Sequence, residues 1–503
     1  MLPPLLVAAL ASTLRMLSAY VLSVLTALVA GVAMARSRAV ESVLLPVLDI
    51  LQSIPILGFF PAALLFFVSA LPRGWGQEVA AVFLIFTSQV WNLIFGVYSS
   101  VKSLDPSLFD MAKVYRMGRA ATFFYVCVPA ARNSLIANSL ISWAGGWFFL
   151  TSSEVISMGS EEYRLVGLGT YIVEAFERGD TVSFGLGMAV LVSIIMATYL
   201  LVWNAAAQQA LGRRLPSLGP AYEALRDLVS KLWGALGDAL VGLSSRLRVP
   251  RYAWRAVGAA LAAYLAAELA LLISGSGGLG AGGLLPTLAA VLAALPVSLA
   301  RVAAVVALSA ALSLAAAYAC YRSERAGPAV ILAGEVLASI PAILWWPLLA
   351  GLAARRPYGP YVVSGVIFLQ GSLWYLFFNL MVYGLASLRR EVEEMASVYR
   401  VRGWWYLRCV FVPFLMPSLA AGALSAWGGA WNASIAAEYV DLGGQAIDLG
   451  GVGALMSKLA SSGDYAGVTA SALLLSLTIV LFNKTFWRRL FKYVEERYGG
   501  EVE

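Results

Sequence analysis

Apolar residues fall along this chain in long blocks, not in alternation. Blocks of about 20 residues or more, the length a helix needs to cross a bilayer, lie near 4–33, 42–70, 78–99, 132–155 and 184–206. Another lies at 254–274, and five more near 293–320, 328–353, 358–384, 417–440 and 466–486. The pattern predicts eleven membrane helices, and the short alternating segments of a membrane β-barrel are absent. The first block is long for one span, so residues 1–14 are expected to form an oblique outer segment. Residues 207–253 are more polar, with one apolar stripe: Leu225, Leu228, Val229, Leu232, Trp233, Leu236, Leu240 and Leu243. Arg226, Lys231, Asp238 and Arg246 lie off that stripe. This reads as an amphipathic helix on the membrane surface, either a plain tether or a docking element.

The blocks before and after this stretch repeat each other. Residues 110–129 read DMAKVYRMGRAATFFYVCVP and residues 394–413 read EMASVYRVRGWWYLRCVFVP, an offset of 396 − 112 = 284. The same offset joins Trp143 to Trp427, Trp147 to Trp431, Glu154 to Glu438, Gly169 to Gly453, and Gly179-Asp180 to Gly463-Asp464. Upstream it is 341 − 55 = 286, which joins Ser53-Ile54-Pro55 to Ser339-Ile340-Pro341 and Arg36-Ser37 to Arg322-Ser323. A period this long means two copies of a whole domain. The division is 1–206, first repeat; 207–253, linker; 254–274, an extra membrane helix; and 275–503, second repeat with its C-terminal tail. The extra helix has no counterpart before residue 1. Either the first half is built without one, or the true start lies upstream. Five helices reverse the chain's direction, so a sixth lets both halves face the same way, as parallel repeats. The expected fold is therefore an all-α polytopic membrane protein, two five-helix cores plus one linking helix.

Composition sharpens this. The chain is 60% hydrophobic and 13% charged, with mean hydropathy +0.80, which excludes an ordinary soluble domain. A net charge of +7 would suit a nucleic-acid partner, but the basic residues are distributed by side. With both VYR segments on one side, 27 of the 35 lysines and arginines fall in or at the edges of loops and tails there, and 8 elsewhere. That asymmetry makes the VYR side cytoplasmic. The N-terminus is then outside and the C-terminus cytoplasmic, and the acid-rich segment 155–183 (Glu161, Glu162, Glu174, Glu177, Asp180) is outside. The chain has no histidine, which removes imidazole metal sites and acid–base chemistry. Cys127, Cys320 and Cys409 fit no metal spacing.

Each cytoplasmic loop reads as a compact knob. In the first, Asp105-Pro106 starts a short helix, residues 116–119 break it, and Pro129 lies where the chain re-enters the membrane. Ala112 and Ala396 sit mid-helix, where a small side chain lets a second surface approach, with flanking charges to orient it.

On these residues the chain resembles the membrane subunit of binding-protein-dependent ABC importers. The signature of that family is Glu-Ala-Ala, three residues, Gly, nine residues, then Ile-x-Leu-Pro. The second copy aligns as Glu394-Met395-Ala396, Arg400, and Val410-Phe411-Val412-Pro413. The first aligns as Asp110-Met111-Ala112, Arg116, and Val126-Cys127-Val128-Pro129. Both copies replace the first Ala by Met and the Gly by Arg, so Gly118 and Gly403 are expected to supply the turn. Trp427-Gly428-Gly429-Ala430-Trp431-Asn432 and Glu438-Tyr439-Val440 are similar to the nitrate/sulfonate/taurine/bicarbonate branch and its duplicated anion permeases. The resemblance implies that an extracytoplasmic binding protein delivers a small anionic solute and that this chain forms its pathway through the bilayer. It also implies that two copies of a cytoplasmic ATPase, carrying ATP and Mg, grip the knobs. The coupling residues it implies are Asp110, Met111, Ala112, Tyr115, Arg116, Gly118 and Pro129, with Glu394, Met395, Ala396, Tyr399, Arg400, Gly403 and Pro413. No phosphate-binding Gly-x-x-x-x-Gly-Lys-Ser/Thr loop occurs in this chain, so ATP is not expected to bind here.

Pathway candidates follow from membrane chemistry. Pro55 and Pro341 (with Pro61 and Pro347) lie inside apolar helices, where a proline kinks the helix or is tolerated. Arg15 and Arg301 each precede a cytoplasmic arginine by 21 residues, roughly 30 Å of helix, so both belong at the outer boundary. There they snorkel, pair with glutamates, or draw in anions. Glu154 and Glu438 are each expected to sit in a structural or gating salt bridge, or to touch solute. Trp147 and Trp431 pack or line the route. Ser152, Ser434 and Asn432 offer neutral donors to an oxyanion. The rival reading is an ion-coupled secondary transporter with parallel repeats.

Overall fold

The structure is a computed structural model that describes residues 4–53, 63–64, 67–68, 71–72, 74–158, 161–203, 223–224, 227–228, 231, 281–323, 326–340, 349, 357–385, 390–441 and 446–498. The extra helix expected at 254–274, most of the linker, and Pro55, Pro61, Pro341 and Pro347 lie outside these residues.

The first half opens with α1 (Pro4–Arg36), one uninterrupted helix, so residues 4–14 continue it and form no separate oblique segment. Its sequence explains its orientation. Ala8, Ser12, Ala19, Ser23, Ala27 and Ala30 face inward, while Leu6, Leu10, Leu14, Leu17, Val21 and Leu25 face out. In lipid the hydrophobic effect does not draw helices together, and small residues that admit close backbone approach do. Next come α2 (Arg38–Ser53), α3 (Trp75–Lys102), the knob helix α4 (Pro106–Val114), α5 (Arg119–Thr122) and α6 (Val128–Glu154). After α6 come strands β1 (Val155–Met158) and β2 (Glu161–Arg164), then α7 (Leu168–Glu177) and α8 (Thr181–Ala197).

The second half repeats this order. Its elements are α9 (Ala281–Arg322), α10 (Ala326–Ser339), α11 (Gly359–Phe378), the knob helix α12 (Arg390–Val398), α13 (Gly403–Tyr406) and α14 (Val412–Glu438). Strands β3 (Tyr439–Asp441) and β4 (Ala446–Asp448) follow, then α15 (Val452–Ser461), α16 (Tyr465–Phe482) and α17 (Arg488–Tyr498). Among the described residues seven helices are long and apolar enough to cross a membrane. Helix α6 is long enough but carries Arg132, Asn133 and Asn138 and is not one of them, whereas its repeat copy α14 lies in one.

Where loops were expected, each half carries a small antiparallel hairpin. Val155 pairs Arg164 and Tyr439 pairs Asp448, again at the offset of 284. The matched Gly-Asp pairs are punctuation. Gly179 and Gly463 take left-handed φ of 69° and 76°, ending α7 and α15, and Asp180 and Asp464 cap the N-termini of α8 and α16. The Asp180 carboxyl is held below the usual range by its bonds from Ser183 and then Val182.

The halves are interlocked. Helix α2 packs on α16 of the second half, and its repeat copy α10 packs on α6 and α8 of the first. In each half the hairpin lies at one end of the long helix α6 or α14 and the knob at the other. Helix α6 runs between them from Pro129 to Glu154, about 40 Å for its 27 residues.

Repeat-mates Gly145 and Gly429 have diverged in packing. A Cβ on Gly429 would fall onto the Gly371 carbonyl and the Tyr375 ring, whereas one on Gly145 meets nothing within 4 Å. Gly429→Ala is therefore expected to lower stability by about 1–3 kcal/mol through overpacking. Gly145→Ala is expected to be neutral, or to raise it by up to about 1 kcal/mol through helix propensity. Thermal unfolding of the purified variants checks this, and equal effects would contradict the divergence.

Candidate functional site

At the hairpin end each half is closed by a buried polar cluster. In the first, Glu154 is fully buried at the end of α6 and Arg15 is 6% exposed. The Ser12 hydroxyl donates to Glu154 Oε1 at 2.5 Å, Arg15 Nη1 donates to the same oxygen at 2.8 Å, and Gly169 N–H donates to Oε2 at 2.7 Å. Ser12 Oγ in turn accepts from Leu168 N–H at 2.8 Å. The carboxylate and hydroxyl thus satisfy the first free N–H groups of α7, at the positive end of its dipole. Gly167 is the residue before, and a Cβ there would strike the Glu154 carboxylate. On its other side, Arg15 makes a two-pronged contact with Glu78, 2.6 Å from Nε and 2.6 Å from Nη2.

The second half rebuilds the same cluster from repeat-mates. Ser298 donates to Glu438 at 2.9 Å and accepts from Val452 N–H at 2.8 Å, and Gly453 N–H donates to Glu438 at 2.8 Å. Arg301 reaches Glu438 at 3.3 Å, but its remaining bonds go to the carbonyls of Gly450 at 2.7 Å and Leu449 at 2.6 Å. No second acid joins it among the described residues. Arg15 and Arg301 therefore sit in ion pairs, not in lipid headgroups. Sequence reading missed Ser12, Ser298 and Glu78. The two serines carried a signal, a Ser-x-x-Arg repeated at the 286 offset; Glu78 carried none.

Between the halves lies a cavity of about 570 Å³. Its walls include Trp91, Phe148 and Phe149 from the first half, and Tyr375, Trp427 and Asn432 from the second. No aspartate or glutamate lines it among the described residues. Phe148 and Phe149 are the repeat-mates of Asn432 and Ala433 (432 − 148 = 284), so the two walls differ in size and polarity. Of the pathway candidates, Asn432 reaches this cavity. Trp147 and Trp431 do not line it; they are packed in the two cores, 0% and 2% exposed. Ser152 and Ser434 bond their own helix at Phe148 and Trp431 carbonyls.

At the knob end, α4 is capped by Asp105, whose carboxyl is held low by the Ser107 N–H. Arg36, at the end of α1, stacks on Phe109 at 3.6 Å. Ala112 and Ala396 are buried, 4% and 6% exposed. This corrects the expectation of a small-residue contact surface, because neither alanine is exposed on its knob. The exposed face is Met111, Val114 and Tyr115, with Met395, Val398 and Tyr399 in the second copy. Asp110, Gly118 and Glu394 are exposed as well, and Pro129 and Pro413 lie in the first turns of α6 and α14.

The turn after each knob is also corrected. Arg116 and Arg400 themselves take φ of 50° and 52°, while Gly118 has φ −67°; Gly403, at φ 58°, begins α13. Met117 N–H bonds Ala112 O and Arg116 N–H bonds Lys113 O. Val401 with Ala396, and Arg400 with Ser397, repeat the pattern. This pair of bonds is the glycine-type helix stop, carried here by an arginine at a cost of about 1–2 kcal/mol.

The family model described as binding-protein-dependent transport system inner membrane component matches residues 23–215 and again 309–498. The bicarbonate transport system permease protein CmpB of Synechocystis is 24% identical over 169 residues, 34% of this chain and 56% of that protein. The nitrate import permease protein NrtB of Leptolyngbya laminosa is 24% identical over 170 residues, 34% and 56%. The taurine transport system permease protein TauC of Escherichia coli is 25% identical over 188 residues, 37% and 64%. The chain thus spans a little over half the length of these curated relatives.

The extra acid in the first cluster makes the two glutamates unequal. Glu438→Gln leaves Arg301 with backbone carbonyls alone and is expected to cost about 3 kcal/mol of stability, as for other broken buried pairs. Glu154→Gln is expected to cost less, because Glu78 still neutralises Arg15, and adding Glu78→Gln should bring the loss level with Glu438→Gln. Denaturation of the three variants checks the order. Equal losses in the two single variants would remove Glu78 from the cluster.

Proposed function

The chain belongs to the family of binding-protein-dependent transport system inner membrane components, and we propose that it is the permease of an ABC importer carrying a small anion. The observation that carries this reading is the cavity between two parallel halves, free of carboxylates in its described lining, beneath a polar-sealed hairpin end. Solute then crosses by alternating access: the hairpin end opens to receive it, and the interlocked halves close that end and release it toward the knobs. Two copies of a separate ATPase, which carries the ATP and Mg, drive the cycle by gripping the knobs. An extracytoplasmic binding protein docks on the hairpin end. The names of two relatives, for bicarbonate and nitrate, support an anion as the cargo, and the third, for taurine, names a solute with an anionic sulfonate group. The side carrying most lysines and arginines is the knob side, which supports a cytoplasmic placement for the knobs and an outer one for residues 155–183 and 441–465.

Two experiments test this. The exposed knob faces are the expected ATPase contacts, so Tyr115→Ala with Tyr399→Ala should leave the protein folded and abolish solute-stimulated ATP hydrolysis in the assembled transporter. Full stimulation in that double variant overturns the coupling assignment. Uptake that follows an ion gradient without ATP turnover overturns the importer class in favour of secondary transport.

For orientation, a cysteine at the exposed Ser462, in a background without Cys127, Cys320 and Cys409, should react with a membrane-impermeant thiol reagent in intact cells. A cysteine at the exposed Ser107 should react only after permeabilisation. The reverse pattern inverts the topology.

A further inference from the structure

Among its described lining residues, the cavity wall carries formal charge on one side only. Lys484 and Arg488 line it, both exposed, and both belong to the second half. At the same offset the first half has 484 − 284 = 200, Leu200, and 488 − 284 = 204, Asn204. Every described first-half residue in the lining is uncharged. Neither cation has a carboxylate partner among the described residues, whereas Lys102, Lys113, Lys458 and Lys492 each have one. Their depth follows from the helix: Lys484 lies 20 residues beyond Asp464, the hairpin-end cap of α16, hence roughly 30 Å away. They stand where the cavity meets the knob end.

We propose that the cavity is a one-sided anion site. Lys484 and Arg488 draw a small anion, inorganic or an alkyl sulfonate, toward the second-half wall, and the aromatic first-half wall packs against its uncharged side. The inference rests on the permease reading and adds to it the residues and the polarity of the site. Two cations with no carboxylate partner among the described residues, beside a low-dielectric wall, focus their field into the space between the halves. On the same wall, Asn432 offers polar atoms where its mate Phe148 offers none. One pair of cations on one wall suits a single anion in one orientation, not two symmetric ones.

The test reads the local potential directly. Ser425 lines the cavity and is exposed. In full-length protein lacking the three native cysteines, Ser425→Cys is reacted with an anionic sulfonatoethyl and a cationic trimethylammonioethyl methanethiosulfonate. The anionic reagent, itself an alkyl sulfonate, is expected to be favoured relative to its rate with a free thiol. Lys484→Gln with Arg488→Gln should lower that preference by about threefold, an effect that shrinks as salt rises. Lys484→Arg with Arg488→Lys should preserve it, and Lys458→Gln at the hairpin end should leave it unchanged. If the double neutralisation misfolds, each single Gln variant should give a partial fall. An unchanged preference, an equal fall in the charge-retaining pair, or an equal fall in Lys458→Gln each overturns the proposal. No ATPase takes part in the measurement, so its failure leaves the importer reading standing, and loss of coupling in the knob variants leaves this one untouched.

Discussion

A carboxylate buried at the end of a membrane helix is tolerable only if its charge is met from every side, and that constraint organises the hairpin end of this protein. Glu154 collects a hydroxyl, a guanidinium and a backbone N–H, supplied by α1 and α7. Glu438 collects the same three kinds of group. In each half the cluster ties the first long helix, the cavity helix and the short helix beyond the hairpin at one point. An isolated ion in lipid is costly, so these elements cannot separate without exposing it or moving together. The glycines beside the clusters follow from this, since a side chain at Gly167 or Gly451 would occupy the carboxylate's place.

With the hairpin end held, the variable part of the structure is the seam between the halves. Its helices cross over, α2 to α16 and α10 to α8, so neither half closes its own wall. Two identical subunits would present identical residues to such a seam. Here Phe148 faces the problem that Asn432 faces, and Gly145 is roomy where Gly429 is tight. Fusion into one chain has let the walls drift apart while the Ser-Arg-Glu clusters stayed matched.

The duplication, seven of the eleven expected membrane spans and the knob motif were legible because they are patterns of many residues at fixed spacing. What stayed hidden depended on direction or on a distant partner. Ala112 looked like a contact residue because it is small; only the packing of α4 shows that Phe109 and Ala112 turn inward and Met111, Val114 and Tyr115 outward. Arg116 was expected to pass its turn to Gly118, because an arginine at φ 50° is the less favourable choice. Glu78 has no mate in the other half and lies 63 residues from Arg15, so nothing local announces it. The hairpin strands are four and three residues long, too short for a period to register. The matched Gly-Asp pairs were visible as repeat partners, and the structure gives them a local role: they end one helix and start the next.

The crossed packing also has a consequence for how the protein is made. Helix α2 begins at Arg38 and its cross-seam partner α16 at Tyr465, about 430 residues later. At a synthesis rate of roughly 5–20 residues per second, roughly 20–90 s pass between the emergence of the one and of the other. Through that interval the first half stands in the membrane with its seam face against lipid, or against whatever insertion factor shields it. The wall that ends as one side of the cavity therefore begins as a lipid-facing surface. The aromatic, uncharged residues described on it suit that first environment, and the two cations arrive only with the last helices, when there is a cavity for them to face.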